Sequence, residues 1–198
     1  SPGDLEYWMT EYCILENNNE INGNGRDLGM DAAIYASRVI MADLVLANAS
    51  SWQWWLGVSP YNYKDGLVYT DYNKTNGNIY DSKLLWVIGN FSRFIEKGMR
   101  RAKIARSDHR HFEQTLEGLM SAAFISPDSS YVTVVIVNYA DNPIPVKLNF
   151  ENLTTPDNIS YFLTDSRATN NLSFQGAFDA KSILDVPAKA VVTITNVK

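Results

Sequence analysis

Leu5-Glu6-Tyr7-Trp8-Met9-Thr10-Glu11-Tyr12-Cys13-Ile14-Leu15 is almost unbroken apolar and aromatic sequence. A run of this length and composition reads as a strand buried on both faces, as parallel strands are. An Asn/Gly-rich loop follows, Asn17 to Gly25. Asp27 can cap a helix running to about Asn48. Its apolar positions Met30, Ala33, Ile34, Ile40, Met41, Leu44 and Val45 recur at helical spacing, with Arg38 and Asp43 on the other face. Ser50 to Val58 (SSWQWWLGV) is a second strand of the buried type. A loop with Pro60, Asn62 and Gly66 leads to a second helix from Asp81 or Ser82. Its stripe is Leu84, Leu85, Ile88, Phe91, Phe94 and Ile95, and Lys97-Gly98 closes it. Strand, helix, strand, helix implies parallel strands joined by right-handed crossovers. Two strands cannot cover two helices or remove their own edges, so this half needs more strands than it holds.

Past Gly98 the pattern changes. Leu119 to Ile125, Val132 to Val137, Val146 to Phe150, Ser160 to Leu163 and Ala190 to Thr195 are short runs rich in β-branched and aromatic residues. Pro127-Asp128-Ser129, Asp141-Asn142-Pro143 and Thr154-Thr155-Pro156-Asp157-Asn158 punctuate them as turns. No helical stripe interrupts, and the expectation is a small antiparallel sandwich. The expected division is residues 1–98 and 99–198.

A chain of 198 residues has room for one large domain or two small ones. A formal charge of -5 argues against nucleic acid or an anionic membrane as partner, since both favour a basic surface. Cys13 is the only cysteine, so no internal disulfide framework exists. No apolar stretch is long enough to span a bilayer. Ser1-Pro2-Gly3-Asp4 is polar, carries no signal peptide and runs almost at once into a strand, so the chain is expected to begin inside a domain.

Glu11 carries the chemistry. A carboxylate in such a strand is costly to bury unless something pairs with it or uses it. Parallel barrels set catalytic groups where a strand gives way to its following loop, and Glu11 stands there. A structural ion pair would explain a buried carboxylate as well. In the second strand Trp52 and Trp54 share one face by alternation, and Trp55 points the other way. Flat rings hold the apolar faces of sugars, and they also fill cores. His109 and His111 form a His-x-His pair in a charged stretch, but zinc needs further ligands, and a solvated loop is the simpler reading. Gly23 to Gly29 has neither the glycine spacing of a dinucleotide loop nor the lysine of a P-loop. Six Asn-x-Ser/Thr triplets, at Asn48, Asn73, Asn90, Asn152, Asn158 and Asn171, fit the glycosylation pattern.

These stretches resemble glycoside hydrolase family 30 in chain order. Trp8–Leu15 (WMTEYCIL) looks like the family's seventh strand, which bears the nucleophile, and Ser50–Tyr61 (SSWQWWLGVSPY) like its eighth. Leu84–Arg101 resembles the last barrel helix and its exit. Ser182–Asn196 resembles the closing strand of the side domain. Within the family, TEYC and WQWW read as the endo-β-1,6-galactanase-like branch, beside the glucosylceramidase-like one. The resemblance implies the C-terminal part of a (β/α)8 barrel, strands seven and eight with their helices, followed by an antiparallel β-sandwich. It implies a secreted, periplasmic or cell-surface hydrolase of β-linked galactan- or glucan-type carbohydrate that works with retention and without cofactor or metal. Glu11 would be the nucleophile, and Trp54, helped by Trp52 and Tyr12, would line the sugar site. The family's acid/base glutamate follows an Asn after the fourth strand. Asn19-Glu20, the one such pair here, lies after the seventh. The missing partner is therefore an upstream barrel segment, and the chain alone is expected to be inactive. Two other readings remain: a non-catalytic carbohydrate-binding module, and a structural sandwich with a barrel remnant. Neither needs Glu11, and sugar-binding modules tend to carry their aromatics on the sandwich, whereas all five tryptophans precede Gly98.

Overall fold

A computed structural model of the chain describes residues 5–151 and 158–197. The turn expected at Thr154–Asp157, the Asn152 triplet and Ser1–Asp4 lie outside them. The contacts divide the chain into two compact units, Ser1–Leu85 and Trp86–Lys198.

The first unit opens on β1 (Trp8–Tyr12), α1 (Met30–Val45) and β2 (Ser51–Trp54), and β1 and β2 pair in parallel. The strand-helix-strand order therefore holds. The expected burial on both faces does not: Trp8, Thr10 and Glu11 are exposed, while Met9 and Tyr12 are partly covered. The reason is that β1 has β2 as its one paired neighbour among the described residues and α1 on one side. The register passes from Met9–Trp52 to Tyr12–Trp54, three steps against two, which marks a bulge at Thr10-Glu11.

Helix α1 starts three residues after Asp27. The carboxylate still caps it: Oδ1 accepts Gly29 N at 2.7 Å and Oδ2 accepts Ala32 N at 2.6 Å. Met30, Ala33, Ile34, Ile40 and Met41 are buried as the stripe requires, joined by Ala32, Ala36 and Ser37. Arg38 and Asp43 are not idle solvent-facing groups. Arg38 pairs with Glu20 and lies over the Tyr35 ring, and Asp43 accepts the Trp52 indole.

The strand expected over Ser50–Val58 breaks after Trp54, and the Trp55–Leu56 peptide is cis. What reads as a loop beyond it holds β3 (Val58–Ser59), β4 (Val68–Thr70) and β5 (Ile79–Asp81) in one small sheet, in that order. Its two- and three-residue strands are too short to show a period. Helix α2 (Lys83–Ser92) follows and ends before the expected Gly98, which instead serves a turn at φ +92°.

The second unit is a sandwich, and its residues make the fold mostly β. One sheet runs β11 (Ser173–Ala177), β10 (Ser160–Thr164), β13 (Ala190–Thr195), β8 (Val132–Asn138), β7 (Leu119–Ile125), β6 (Arg100–Ala102). The other pairs β12 (Leu184–Val186) with β9 (Ile144–Val146). All pairings are antiparallel. The strand expected at Val146–Phe150 occupies Ile144–Val146 instead; Leu148 and Phe150 pack on the core from irregular chain. A single short 3-10 turn, Phe112–Thr115, stands where no helix was expected.

Strands β8 and β13 are buried along their whole length because both faces are covered. On one face Val132, Val134, Ile136, Val192 and Ile194 meet Leu163, Phe178 and Val186. On the other, threonines receive the end of α2. Asn90 Nδ2 donates to Thr193 Oγ1 at 3.0 Å, and Thr164 Oγ1 donates to Asn90 Oδ1 at 2.6 Å. Thr193 and Thr133 hydroxyls donate to the Asn90 and Phe94 carbonyls at 2.7 Å each. A helix end leaves carbonyls without partners, and here the sheet satisfies that of Asn90 in the last turn and that of Phe94 just beyond it.

Candidate active site

Both parallel strands of the first unit end on the same side, and their following loops are locked together there. Asn18 Oδ1 accepts Glu20 N and Ile21 N, and Asn17 Oδ1 accepts Gly23 N, so the Asn-rich loop is knitted by its own amides. Gly23 passes so close to the Leu15 backbone that a Cβ would lie 2.5 Å from its carbonyl carbon. Arg26 reaches across to the next loop. Its Nε donates to Tyr61 O at 2.9 Å, and its terminal nitrogen donates to Pro60 O at 2.8 Å and Thr70 O at 2.6 Å. Its guanidinium lies over the Tyr69 ring, 5.1 Å from the centroid. The glycine-rich stretch therefore frames the rim and owes its order to Asn and Arg side chains.

Tyr12, Trp52 and Trp54 come together as expected, but on the side of α1. Their ring centroids lie 5.7–6.2 Å apart. Trp52 Nε1 donates to Asp43 on α1 at 2.8 Å. Tyr12 and Trp54 pack with Tyr35 against Ile14, Ile21 and Ala32. Trp54 Nε1 donates to the Asp65 carbonyl at 2.7 Å. Burial, with the neighbouring Tyr35 and Asp43, pushes the Tyr12 phenol up, so it stays protonated. The shallow depression beside these rings is lined by Tyr12, Cys13, Asn18 and Tyr35 and does not include Glu11. Tyr12, Trp52 and Trp54, expected to line the sugar site, are partly covered here by their contacts with the α1 side and keep part of their surface exposed.

Glu11 lies on the opposite face. It follows Thr10 in the bulge and precedes the inward Tyr12, so alternation turns it away from α1. It is exposed, and among the described residues no hydrogen bond or ion pair engages its carboxylate. Trp55, next to the inward Trp54, turns the same way and is 48% exposed. The Trp55 amide donates to Tyr12 O at 2.9 Å, which sets it level with the end of β1. The opposite orientation of Trp55 was already legible in the alternation; which face α1 covers was not.

Two further groups lie near the end of β1, Cys13 and Asp65. Burial raises the Cys13 pKa, and the Glu11 and Asp65 charges raise it further, so the thiol is a neutral neighbour of the carboxylates. Asp65 is 3% exposed, and its buried Oδ1 has no partner among the described residues. The alternative acid at Glu20 is held in its pair with Arg38. His109 and His111 are exposed, and the described residues include no group of three or more His, Cys, Asp or Glu able to hold a metal. No described helix is long and apolar enough to cross a membrane.

The chain is similar to a conserved exported protein from Bacteroides fragilis, at 30% identity and a TM-score of 0.82, over 97% of this chain and 39% of that one. It is also similar in fold to the catalytic domain of a family 30 xylanase C from Talaromyces cellulolyticus (21% identity, TM-score 0.73, 98% of this chain and 41% of that one). The family 30 subfamily 8 xylanase of Clostridium acetobutylicum matches at 22% identity and a TM-score of 0.67, over 96% of this chain and 42% of that one. The chain thus spans about two-fifths of the length of these structures. Residues 1–69 match the O-glycosyl hydrolase family 30 model, and residues 106–194 match that family's beta sandwich domain. Two matches from one family, in chain order and together spanning most of the sequence, make this chain a member of glycoside hydrolase family 30.

Proposed function

We propose that the chain carries the nucleophile side of the active site of a retaining β-glycosidase. The observation that carries the reading is Glu11: an exposed carboxylate without a described partner, at the C-terminal end of a parallel strand, beside a half-exposed tryptophan. In this reading β1-α1-β2 is the seventh and eighth strand portion of a (β/α)8 barrel, and its uncovered face looks into the barrel mouth.

Glu11 attacks the anomeric carbon as the bond to the leaving oxygen breaks, giving a glycosyl ester of Glu11. A second carboxyl, about 5–5.5 Å from the first in retaining enzymes, protonates that oxygen and then deprotonates the water that frees the sugar. That second group comes from outside this chain. Trp55 supplies a flat apolar face for the sugar held at Glu11. Tyr12, Trp52 and Trp54 fix both strands on α1 and so set the angle of Glu11 and Trp55. The substrate class is a β-linked glycan of galactan, glucan or xylan type, acted on outside the cytoplasm; xylanases and an exported protein stand among the similar structures.

In the intact enzyme, Glu11→Gln should leave substrate binding near normal and abolish turnover. Azide should partly rescue Glu11→Ala and yield a glycosyl azide of inverted configuration, because azide enters from the face that Glu11 vacates. Near-normal turnover in Glu11→Gln would remove the nucleophile assignment.

A further inference from the structure

Two tyrosines on the rim serve neither packing nor the proposed chemistry. Tyr61 and Tyr72 are 50% and 63% exposed, and their rings meet edge to face with centroids 6.2 Å apart. Contiguous exposed aromatic area, unlike single scattered residues, is a feature of binding surfaces. The frame is rigid here. Tyr61 N donates to Ser59 Oγ at 3.1 Å, and Arg26 grips the Pro60 and Tyr61 carbonyls. Tyr72 holds φ +63°, a strained value for a bulky residue that persists where the surroundings impose it. Asp71 beside it accepts Asn73 N at 3.0 Å and Asn78 N at 2.9 Å, and Asn73 Oδ1 accepts Thr75 N and Asn76 N.

The pair follows the C-terminal end of β2, and Arg26 ties it to the loop after β1, so it stands at the end of the strands where Glu11 and Trp55 lie. We infer that Tyr61 and Tyr72 form a distal stacking platform for an uncharged stretch of β-linked glycan running on from the sugar at Glu11. This rests on the glycosidase reading for the identity of the chain that crosses it. Phenol rings suit sugars because each joins an apolar face to a hydroxyl.

The charges nearby favour a neutral glycan. Arg26 and Lys64 are the basic groups bound into this rim, and both are spent on carbonyls: Arg26 on three, Lys64 on Asn24 O at 3.0 Å and Gly25 O at 3.1 Å. The Asn78 and Asn73 amides hold the Asp71 carboxyl below its usual range, so a fixed negative charge adjoins Tyr72. Lys74 at the exposed tip is fully solvated, and a solvated ammonium holds an anion weakly.

The test uses the whole 198-residue chain and calorimetric titration with neutral β-linked galacto-, gluco- and xylo-oligosaccharides of two and six units, beside a glucuronate-substituted hexamer. At least one neutral hexamer should bind. Tyr61→Ala and Tyr72→Ala should each weaken it about tenfold, the loss expected for one stacking contact, and leave the dimer alone. Tyr61→Phe and Tyr72→Phe should keep most of the affinity, since stacking needs the ring. Failure of every neutral hexamer to bind, wild-type affinity in both alanine variants, or preference for the glucuronate-bearing hexamer would overturn the platform. The platform is read from hexamer binding by the tyrosine variants and the nucleophile from azide rescue, so the two stand or fall separately.

Discussion

At the scale of single residues, orientation on β2 separates two tryptophans that composition makes alike. Trp54 is sandwiched between Tyr12 and the α1 side, with its indole nitrogen bonded to the Asp65 carbonyl. Trp55 presents its ring outward. Trp54→Ala should therefore cost stability, about 3 kcal/mol by the usual range for large core aromatics, and lower activity in proportion to the folded fraction. Trp55→Ala should change stability by no more than about 0.5 kcal/mol. It should raise KM and lower kcat in the intact enzyme, by about 1–3 kcal/mol in kcat/KM if it acts as a stacking face. Urea denaturation and steady-state kinetics on the two variants decide this; the reverse pattern would restore Trp54 as the platform. Alternation gave the opposite orientations of these residues correctly. Alternation says which residues share a face and not what covers that face, so the contact of Trp54 with the α1 side was not legible from it. A bulge at Thr10-Glu11 shifts the period again, and no sequence signal marks it.

Among elements, legibility followed length. The 16-residue helix α1 and the seven- and six-residue strands β7 and β13 show enough periods for their pattern to be read, and the strand bounds at Leu119–Ile125 and Ala190–Thr195 match. Strands β3 to β5 run two or three residues, and they form because loops are clamped by Arg26 and Tyr69 rather than because the segment favours extension. Helix α2 shows how tertiary partners override local signals. Lys97-Gly98 offers a good stop, yet the helix ends at Ser92, with Thr193 taking the Asn90 carbonyl of its last turn and Thr133 the Phe94 carbonyl in the turn beyond. Asn90 is central to that junction, being 0% exposed and bonded to two threonines. Its burial also bars glycosylation at Asn90-Phe91-Ser92 once the chain is folded. Asn90→Ala should leave the Thr164 hydroxyl without its acceptor and Thr193 Oγ1 without its side-chain donor, while Thr193 keeps its bond to the residue 90 carbonyl and Thr164 keeps Leu172 N, and should cost about 1–2 kcal/mol, measured by urea denaturation of the chain. A loss below about 0.5 kcal/mol would mean that other groups satisfy those hydroxyls.

At the scale of the whole chain, the two units differ in how far each satisfies itself. The sandwich pairs six strands in one sheet and covers both faces of its central strands. The first unit has a two-stranded parallel sheet with Trp8, Thr10, Glu11, Gln53 and Trp55 uncovered, and such small sheets are marginal in water. On the proposed reading, that uncovered face carries Glu11 as the nucleophile. Retaining hydrolysis needs a proton donor across the scissile bond from the nucleophile, because an alkoxide is a poor leaving group. Of the carboxylates around β1, Glu6 accepts the Trp8 indole, Glu20 pairs with Arg38, Asp43 accepts the Trp52 indole, and Asp65 is buried, while Glu16 is exposed in the loop after β1 beside Tyr12 and Cys13, on the depression that does not include Glu11. We therefore expect the purified 198-residue chain to release no reducing ends from β-linked galactans, glucans or xylans. Supplying the remaining barrel strands, fused ahead of Ser1 or as a second chain, should restore hydrolysis, and Glu11→Gln should abolish it again. Turnover by the chain alone that disappears with Glu11→Gln would show that one of its own carboxyls serves as the acid. Glu20 would then be the first to substitute, since breaking its pair with Arg38 would free a carboxyl in the loop that follows the nucleophile strand.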